Sequence, residues 1–546
     1  MSEFLRVFNP INFQGLETAR QLLFLALFST AGGATYIEWV KHNKSKVEKI
    51  AKAALENRNS LKNIMGEDGL TLSKQIQLTE KFDFEGSLIF GPTGAGKTTG
   101  FFFPNLLSNN IKGSIIVTDP KSELFEKTSR YQEVVCGRKV YKFSPLEPYK
   151  SERYNLLENC KDATEICQLA DSLLNNGSLS IELSTGKKTG GAEWIQMASP
   201  LLSAALIYAY HQSKPLNCIE FALKLILSLE TKELEYMFYK SKIHDCITQW
   251  NIFKTVAGAD RTEGSIKITL STNMRLFTDP KINYVCGDTT FNFDKFREEP
   301  SILYITYPER KSSYLAPFIA PFLDQMFSTL IEQYNQNSLP IHFFSDEFAN
   351  IGQINNLTSI VSTVRSRKIS MNLCLQSLSQ LNQVYGKEIT KSVMNNLKTK
   401  IVLPGLSDEE TLNHISNICG KREIQIKSRS INSALNASET YSKTAIKVFE
   451  PSDIRCLGNE EVLIVTSNKN PVVDEINTYY KQEKYTKNIG SPLKLTFSSK
   501  NQARQLNNVI EEYKQMIKNE KAAARKNKYN VKKTKSIKEE LNDILN

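Results

Sequence analysis

Paired cysteines are missing from this sequence. Its nine cysteines are scattered and none forms a C-x-x-C pair. That removes a disulfide scaffold and the common zinc spacings, and leaves reduced cytosolic thiols as the default. Histidine is scarce, with five residues far apart, and none is assigned a catalytic role. A broad excess of one charge is absent as well. The formal net charge is +11, but residues 500–546 carry 12 Lys/Arg against 6 Asp/Glu and residues 41–63 carry 7 against 2, so the remainder is close to neutral. This argues against a basic surface spread over the molecule for DNA. It points instead to two local basic segments, each either a solvated helix or tail or a contact with nucleic acid or anionic lipid. No internal repeat is present.

What is there is a globular composition, 40% hydrophobic and 23% charged, in a chain of 546 residues, long enough for two or three packed units. The one localisation signal is N-terminal. From Gln21 to Ile37, "QLLFLALFSTAGGATYI", seventeen residues pass without a charge, with Arg20 before and Glu38 and Lys41 after. A spanning helix needs about 20 mostly apolar residues, so the run reads as a membrane segment, with a buried or interfacial helix as the alternative. A cleaved signal fits less well, because Glu3 and Glu17 precede the run. Lys41, Lys44, Lys46 and Lys49 on the C-terminal flank would place that side, and the body of the protein, in the cytoplasm.

Beyond the basic linker, short apolar runs alternate with helical patterns. "SLIF" (87–90), "SIIVTD" (114–119) and "KVYKFSP" (139–145) read as strands, as do "SILYITYP" (301–308), "IHFFSDE" (341–347), "SMNLCLQ" (370–376), "KTKIVLPG" (398–405) and "EEVLIVTS" (460–467). Alternation of this kind predicts an α/β fold with a mostly parallel central sheet. Residues 156–280 are almost wholly helical in periodicity and read as an all-α insertion. The expected division is an N-terminal hydrophobic segment and basic linker (1–63), a nucleotide-binding domain in two parts (64–155 and 291–490), the inserted all-α domain (156–290), and a basic helical or disordered tail (491–546).

Between the first strand and a helix, Gly91-Pro92-Thr93-Gly94-Ala95-Gly96-Lys97-Thr98 fits the phosphate-loop pattern G-x-x-x-x-G-K-[ST] in full, and Thr99 extends it. The glycines let backbone N–H groups converge on phosphate oxygens, Lys97 reaches the β/γ phosphates and the Thr98 hydroxyl holds Mg²⁺. Phe101, Phe102 and Phe103 follow at once. Stacking on DNA bases is one use for them, but their place on the helix behind the loop favours packing against the sheet. About 250 residues later, Asp346 ends an apolar strand and is the candidate second Mg²⁺ group, with Glu347 placed to polarise the attacking water. Gln376, at the end of a neighbouring strand, is a candidate sensor of the γ-phosphate. Arg365 and Arg367 are candidates for a cation supplied across a subunit boundary, or are surface ion-pair residues. Asp119 and Lys121 lie at another strand's C-terminal edge, where ligands bind in such sheets, or form an Asp-Pro turn.

Several separated stretches, "TDPKSELFEKTSRY", "GRKVYKFSP", "WIQMASPLLSAALIY", "SDEFANIG", "LQSLSQLNQVYG" and "PSDIRCLGNEEVLIV", resemble the type IV secretion coupling proteins of the TraG/TraD class over roughly residues 85 to 475. The resemblance implies a RecA-like P-loop NTPase with an inserted all-α domain, assembled as a homo-hexamer at the cytoplasmic membrane. It also implies ATP with Mg²⁺ as cofactors, and hydrolysis that passes relaxase-bound single-stranded DNA, or a protein substrate, to a secretion channel. Lys97, Thr98, Asp346, Glu347 and Gln376 match the class's nucleotide-site motifs. Members usually begin with two membrane-spanning helices, whereas one hydrophobic helix is visible here, which leaves room for a separate anchor protein. Two readings stand beside a DNA-translocating motor: a motor for protein secretion, and a membrane-docked scaffold that binds nucleotide without turnover.

Overall fold

The computed structural model describes residues 61–186, 191–258, 260–433, 436–466, 469–497, 508–520 and 522. The hydrophobic run 21–37 and most of the basic tail lie outside them. Among the described residues no helix is long and apolar enough to cross a membrane.

Among the described residues eleven strands form two sheets: β1 Ser87–Phe90, β2 Ser114–Asp119, β3 Lys139–Phe143, β4 Ser301–Thr306, β5 Ile341–Ser345, β6 Ile369–Leu375, β7 Thr399–Val402, β8 Lys421–Ser433, β9 Asn436–Lys447, β10 Glu461–Thr466 and β11 Val472–Glu475. Nine make one sheet in the order β11-β10-β7-β1-β6-β5-β2-β4-β3. Every neighbouring pair from β7 to β3 is parallel, and β10 and β11 close the other edge antiparallel. Strands β1, β2, β4, β5, β6 and β7 are buried along their whole length, as expected where helices cover both faces.

The eight expected strands are all present. The two polar residues that interrupt "IHFFS" do not bring β5 to the surface. His342 is buried with its Nε2 3.4 Å from Asp83 Oδ2, and Ser345 is buried as well. Three strands were not expected: β11, and the hairpin β8–β9, a separate two-stranded sheet. The hairpin's sequence is polar and alternates weakly, so it carries little of the apolar signal that marks a core strand.

Helix α1 follows the phosphate loop, with π-type turns over Thr98–Phe102 and an α-helical part over Phe103–Leu106. Phe101 and Phe102 are buried against Phe344 of β5, with ring centroids 6.0 and 5.8 Å away. The phenylalanines therefore anchor the loop to the sheet. Helix α2 (Glu123–Val134) leads from β2 toward β3. Between β3 and β4 the chain is a helical insert: α3 Ala163–Thr185, α4 Ala192–Tyr210, α5 Ile219–Ser228, α6 Thr231–Ser241, α7 His244–Ala257 and α8 Asp260–Asn273. Asp162 caps α3 by accepting from the Glu165 N–H at 2.9 Å. Helix α4 is buried throughout 201–209 and packs on α3, α5, α7 and α8. Helix α9 (Ser312–Glu332) lies along α3 and joins the insert to the sheet. Helix α10 (Leu378–Asn396) follows β6.

Within the basic tail, residues 508–520 form helix α11, and the tail is not simply solvated there. Val509, Ile510 and Ile517 are buried, Tyr513 lies with its ring 6.0 Å from Phe221 of α5, and Glu520 accepts from Tyr236 and Lys240 of α6. The tail thus returns to dock on the insert.

Candidate functional site

The C-terminal ends of three adjacent parallel strands, β1, β6 and β5, carry the phosphate loop, Gln376 and the Asp346-Glu347 pair. Their adjacency brings together residues 248 positions apart in the chain. In the loop, Gly94 and Gly96 have φ of +86° and +94°, a region that L side chains rarely adopt. A Cβ at Gly94 would meet nothing within 4 Å, so that side of the loop is open. Lys97 is buried and its ammonium donates to the carbonyls of Gly91 at 2.9 Å and Pro92 at 3.4 Å, inside the curl of the loop. Thr99 donates to Gly96 O at 3.4 Å and closes the first turn of α1.

Thr98 Oγ1 donates to Asp346 Oδ2 at 3.3 Å, and the backbone N–H of Asp346 donates to Thr118 Oγ1 of β2 at 2.9 Å. The second oxygen of Asp346, Oδ1, is buried without a hydrogen-bond partner. Burial pushes this carboxyl above the usual carboxylate range, while the Lys97 ammonium pulls it back. Glu347 sits in a left-handed backbone conformation, φ +56° and ψ +56°. A residue of this type in that region costs on the order of 1–3 kcal/mol and needs the surrounding fold to hold it. Its carboxylate accepts from Gln376 Nε2 at 2.8 Å and from Asn350 Nδ2 at 2.7 Å. The Gln376 amide also lies 3.4 Å from Thr93 Oγ1, so one side chain touches both the loop and the acidic pair. Gln380, one turn into α10, holds the Gln376 carbonyl at 3.1 Å.

Arg365 and Arg367 lie elsewhere, whereas Asp119 and Lys121, at and just past the end of β2 beside β5, are near enough to Asp346 to interact with its charge. Arg365 and Arg367 belong to the turn Val364–Arg367 that precedes β6, at the edge of the sheet opposite the loop. Arg365 pairs with Glu85 at 2.9 Å, and Arg367 lies 5.6 Å from the centre of the Tyr334 ring. A strand of this length spans about 20 Å, so neither arginine reaches the loop of its own chain. Asp119 ties the end of β2 to the start of α2. Its Oδ2 accepts from the Phe125 N–H of α2 at 2.8 Å, and burial pushes its carboxyl up to about 7. Lys121 pairs with Glu309, 3.9 Å away. Thr118 and Asn350 were not singled out in the sequence. Thr118 is revealed only by the sheet order, and Asn350, three residues beyond Glu347, only by the turn that folds its amide back on the carboxylate.

With this geometry in place, the likeness to known proteins can be weighed. The VirD4 protein of Rhizobium radiobacter is 24% identical over 409 residues, which cover 72% of this chain and 57% of that protein. The conjugal transfer protein TraG of Escherichia coli is 21% identical over 402 residues, covering 68% of this chain and 61% of that protein. The chain thus spans about three-fifths of the length of these relatives. Among solved structures, the bacterial conjugative coupling protein TrwB superposes with a TM-score of 0.60 at 16% identity, over 77% of this chain and 91% of that one. The same protein solved with ADP and Mg²⁺ gives a TM-score of 0.58 at 17% identity, over 77% and 91%. At these identities the structural likeness is one of fold, an α/β core with a mostly parallel sheet and a helical insert. The match to the family described as type IV secretory system conjugative DNA transfer extends over residues 39–539, and the chain belongs to that family.

Proposed function

We propose that the protein is the ATP-driven coupling protein of a conjugative type IV secretion system, recruiting relaxase-bound single-stranded DNA and passing it to the channel proteins at the cytoplasmic membrane. The observation that carries this reading is the convergence of the loop, Asp346, Glu347 and Gln376 at three adjacent strand ends in a chain of this family. Residues Gly91 to Thr99 hold the phosphates, with Lys97 leaving the loop carbonyls for the β/γ oxygens. The donors at the acidic end suit Mg²⁺: a hydroxyl, and a buried carboxylate whose Oδ1 lacks a partner. Thr98 and Asp346 would hold the ion, which supplies charge neutralisation to the phosphates when bound. Glu347 orients and deprotonates the attacking water, and Gln376 registers the γ-phosphate from its place between Thr93 and Glu347.

The charge stabilisation that Arg365 and Arg367 could offer goes to a neighbouring copy, since they face away from their own loop. The copy that receives it belongs to the homo-hexamer that the family resemblance implies. The helical insert (156–290) is read as the cargo-recognition unit and residues 21–37 as the membrane anchor, with the motor facing the cytoplasm. ATP turnover by the purified chain with and without single-stranded DNA tests this reading. Stimulation by DNA supports it, and turnover indifferent to DNA opposes it in favour of protein cargo.

A further inference from the structure

The Glu347 carboxylate is held at both oxygens by amides from two different elements. Gln376 donates to Oε1 from the end of β6, and Asn350 donates to Oε2 from the short turn Phe348–Ile351. The two donors answer to different parts of the molecule. Gln376 also faces Thr93 on the phosphate loop, so a γ-phosphate arriving there competes for its amide. Asn350 has no such link. Its segment is fastened to the helical insert, because the Gln353 N–H donates to Asn176 Oδ1 at 2.7 Å and Asn176 Nδ2 donates back to Gln353 O at 3.0 Å. Asn176 is buried in α3 of the insert. Gly352 is pressed on it so closely that a Cβ there would lie 2.7 Å from Asn176 Oδ1. The Tyr385 hydroxyl of α10 ties down the same backbone, donating to Gly352 O at 3.0 Å. A shift of α3 is therefore felt at Asn350 three residues away, through a segment in which Gly352 leaves no side chain between the backbone and Asn176.

We propose that Asn350 is a positioning residue that restrains Glu347 until the helical insert moves. Hydrolysis then needs two releases, Gln376 by the nucleotide and Asn350 by the insert. The proposal rests on the reading of Glu347 as the group that activates water. A carboxylate fixed by two charge-assisted hydrogen bonds must give up at least one to turn toward a water on the loop side. An element biased by two sites is what energetic coupling between nucleotide and cargo requires.

The test is steady-state ATP turnover by the full-length protein, with and without single-stranded DNA, for wild type, Asn350→Ala, Asn350→Gln and Glu347→Gln. Asn350→Ala is expected to raise the DNA-free kcat about ten- to a hundredfold, the factor one lost hydrogen bond to a charged group gives, with KM for ATP unchanged. Asn350→Gln keeps an amide donor and falls between wild type and Ala. A DNA-free kcat of Asn350→Ala equal to or below wild type, with Glu347→Gln inactive, overturns the proposal while leaving the role of Glu347 intact. Wild-type turnover by Glu347→Gln overturns that role and the proposal together. A loss confined to purely structural damage would lower kcat in the Ala and Gln variants alike, and would also overturn it.

Discussion

Asp346 and Glu347 are adjacent in sequence but face different partners, so their substitutions should fail in different ways. Glu347→Gln keeps the shape and one of the two amide contacts, and on the proposed mechanism removes the base; kcat should fall by about 10²–10⁴ while binding of a labelled nucleotide persists. Asp346→Asn should instead move the Mg²⁺ titration of turnover to higher concentration, since it neutralises the carboxylate that Thr98 faces. A pH effect belongs to Asp324 of α9, whose carboxyl burial alone pushes from 3.8 up to about 7. The folded state holds that proton more tightly than the unfolded chain, so stability is lost as pH rises from about 4 through about 7. Asp324→Asn removes this loss. Its thermal midpoint relative to wild type should rise between about pH 4 and pH 7 and level off above, measured by circular dichroism. The site residues with a motif, Lys97, Thr98 and Asp346, are legible from spacing and from the end of an apolar run. Thr118 is not, because its role exists only once β2 and β5 lie side by side, and Asn350 and Gln380, though only three and four residues from their partners, belong to no motif that marks them.

At the scale of elements, helix α1 shows how an ordinary packing demand serves the chemistry. Phe102 is fully buried against Phe344, one strand turn before Asp346, and so ties the loop to the acidic pair. Phe102→Ala should cost about 3–5 kcal/mol of stability by denaturant unfolding. The core strands announce themselves because parallel strands covered on both faces must be apolar along their length. Strand β5 tests that rule and survives it, since His342 finds Asp83 as a buried partner. The hairpin β8–β9 pairs only with itself and lacks that constraint, and β11 is four residues at an edge. For both, the deciding information is the pairing rather than the composition.

At the scale of the molecule, the insert is bounded by two contacts that sequence distance hides. Asn176 clasps the turn behind Glu347, and α11 returns from the tail to cover α5 and α6. Ile517→Asp should release α11 and speed tryptic cleavage after Lys514 and Lys518, with the rest of the chain unchanged on a gel. The basic character of the tail drew attention to its charge, whereas its docking rests on Val509, Ile510 and Ile517, three residues that few charged neighbours would single out. The central claim is that the site built from the loop and the acidic pair turns over ATP in the service of DNA transfer. The most direct measurement is ATP turnover by the purified full-length protein, wild type and Lys97→Ala, titrated with single-stranded DNA. A wild-type rate that climbs with DNA and a Lys97→Ala rate at background are the predicted results; DNA-stimulated turnover that survives in Lys97→Ala would contradict the account.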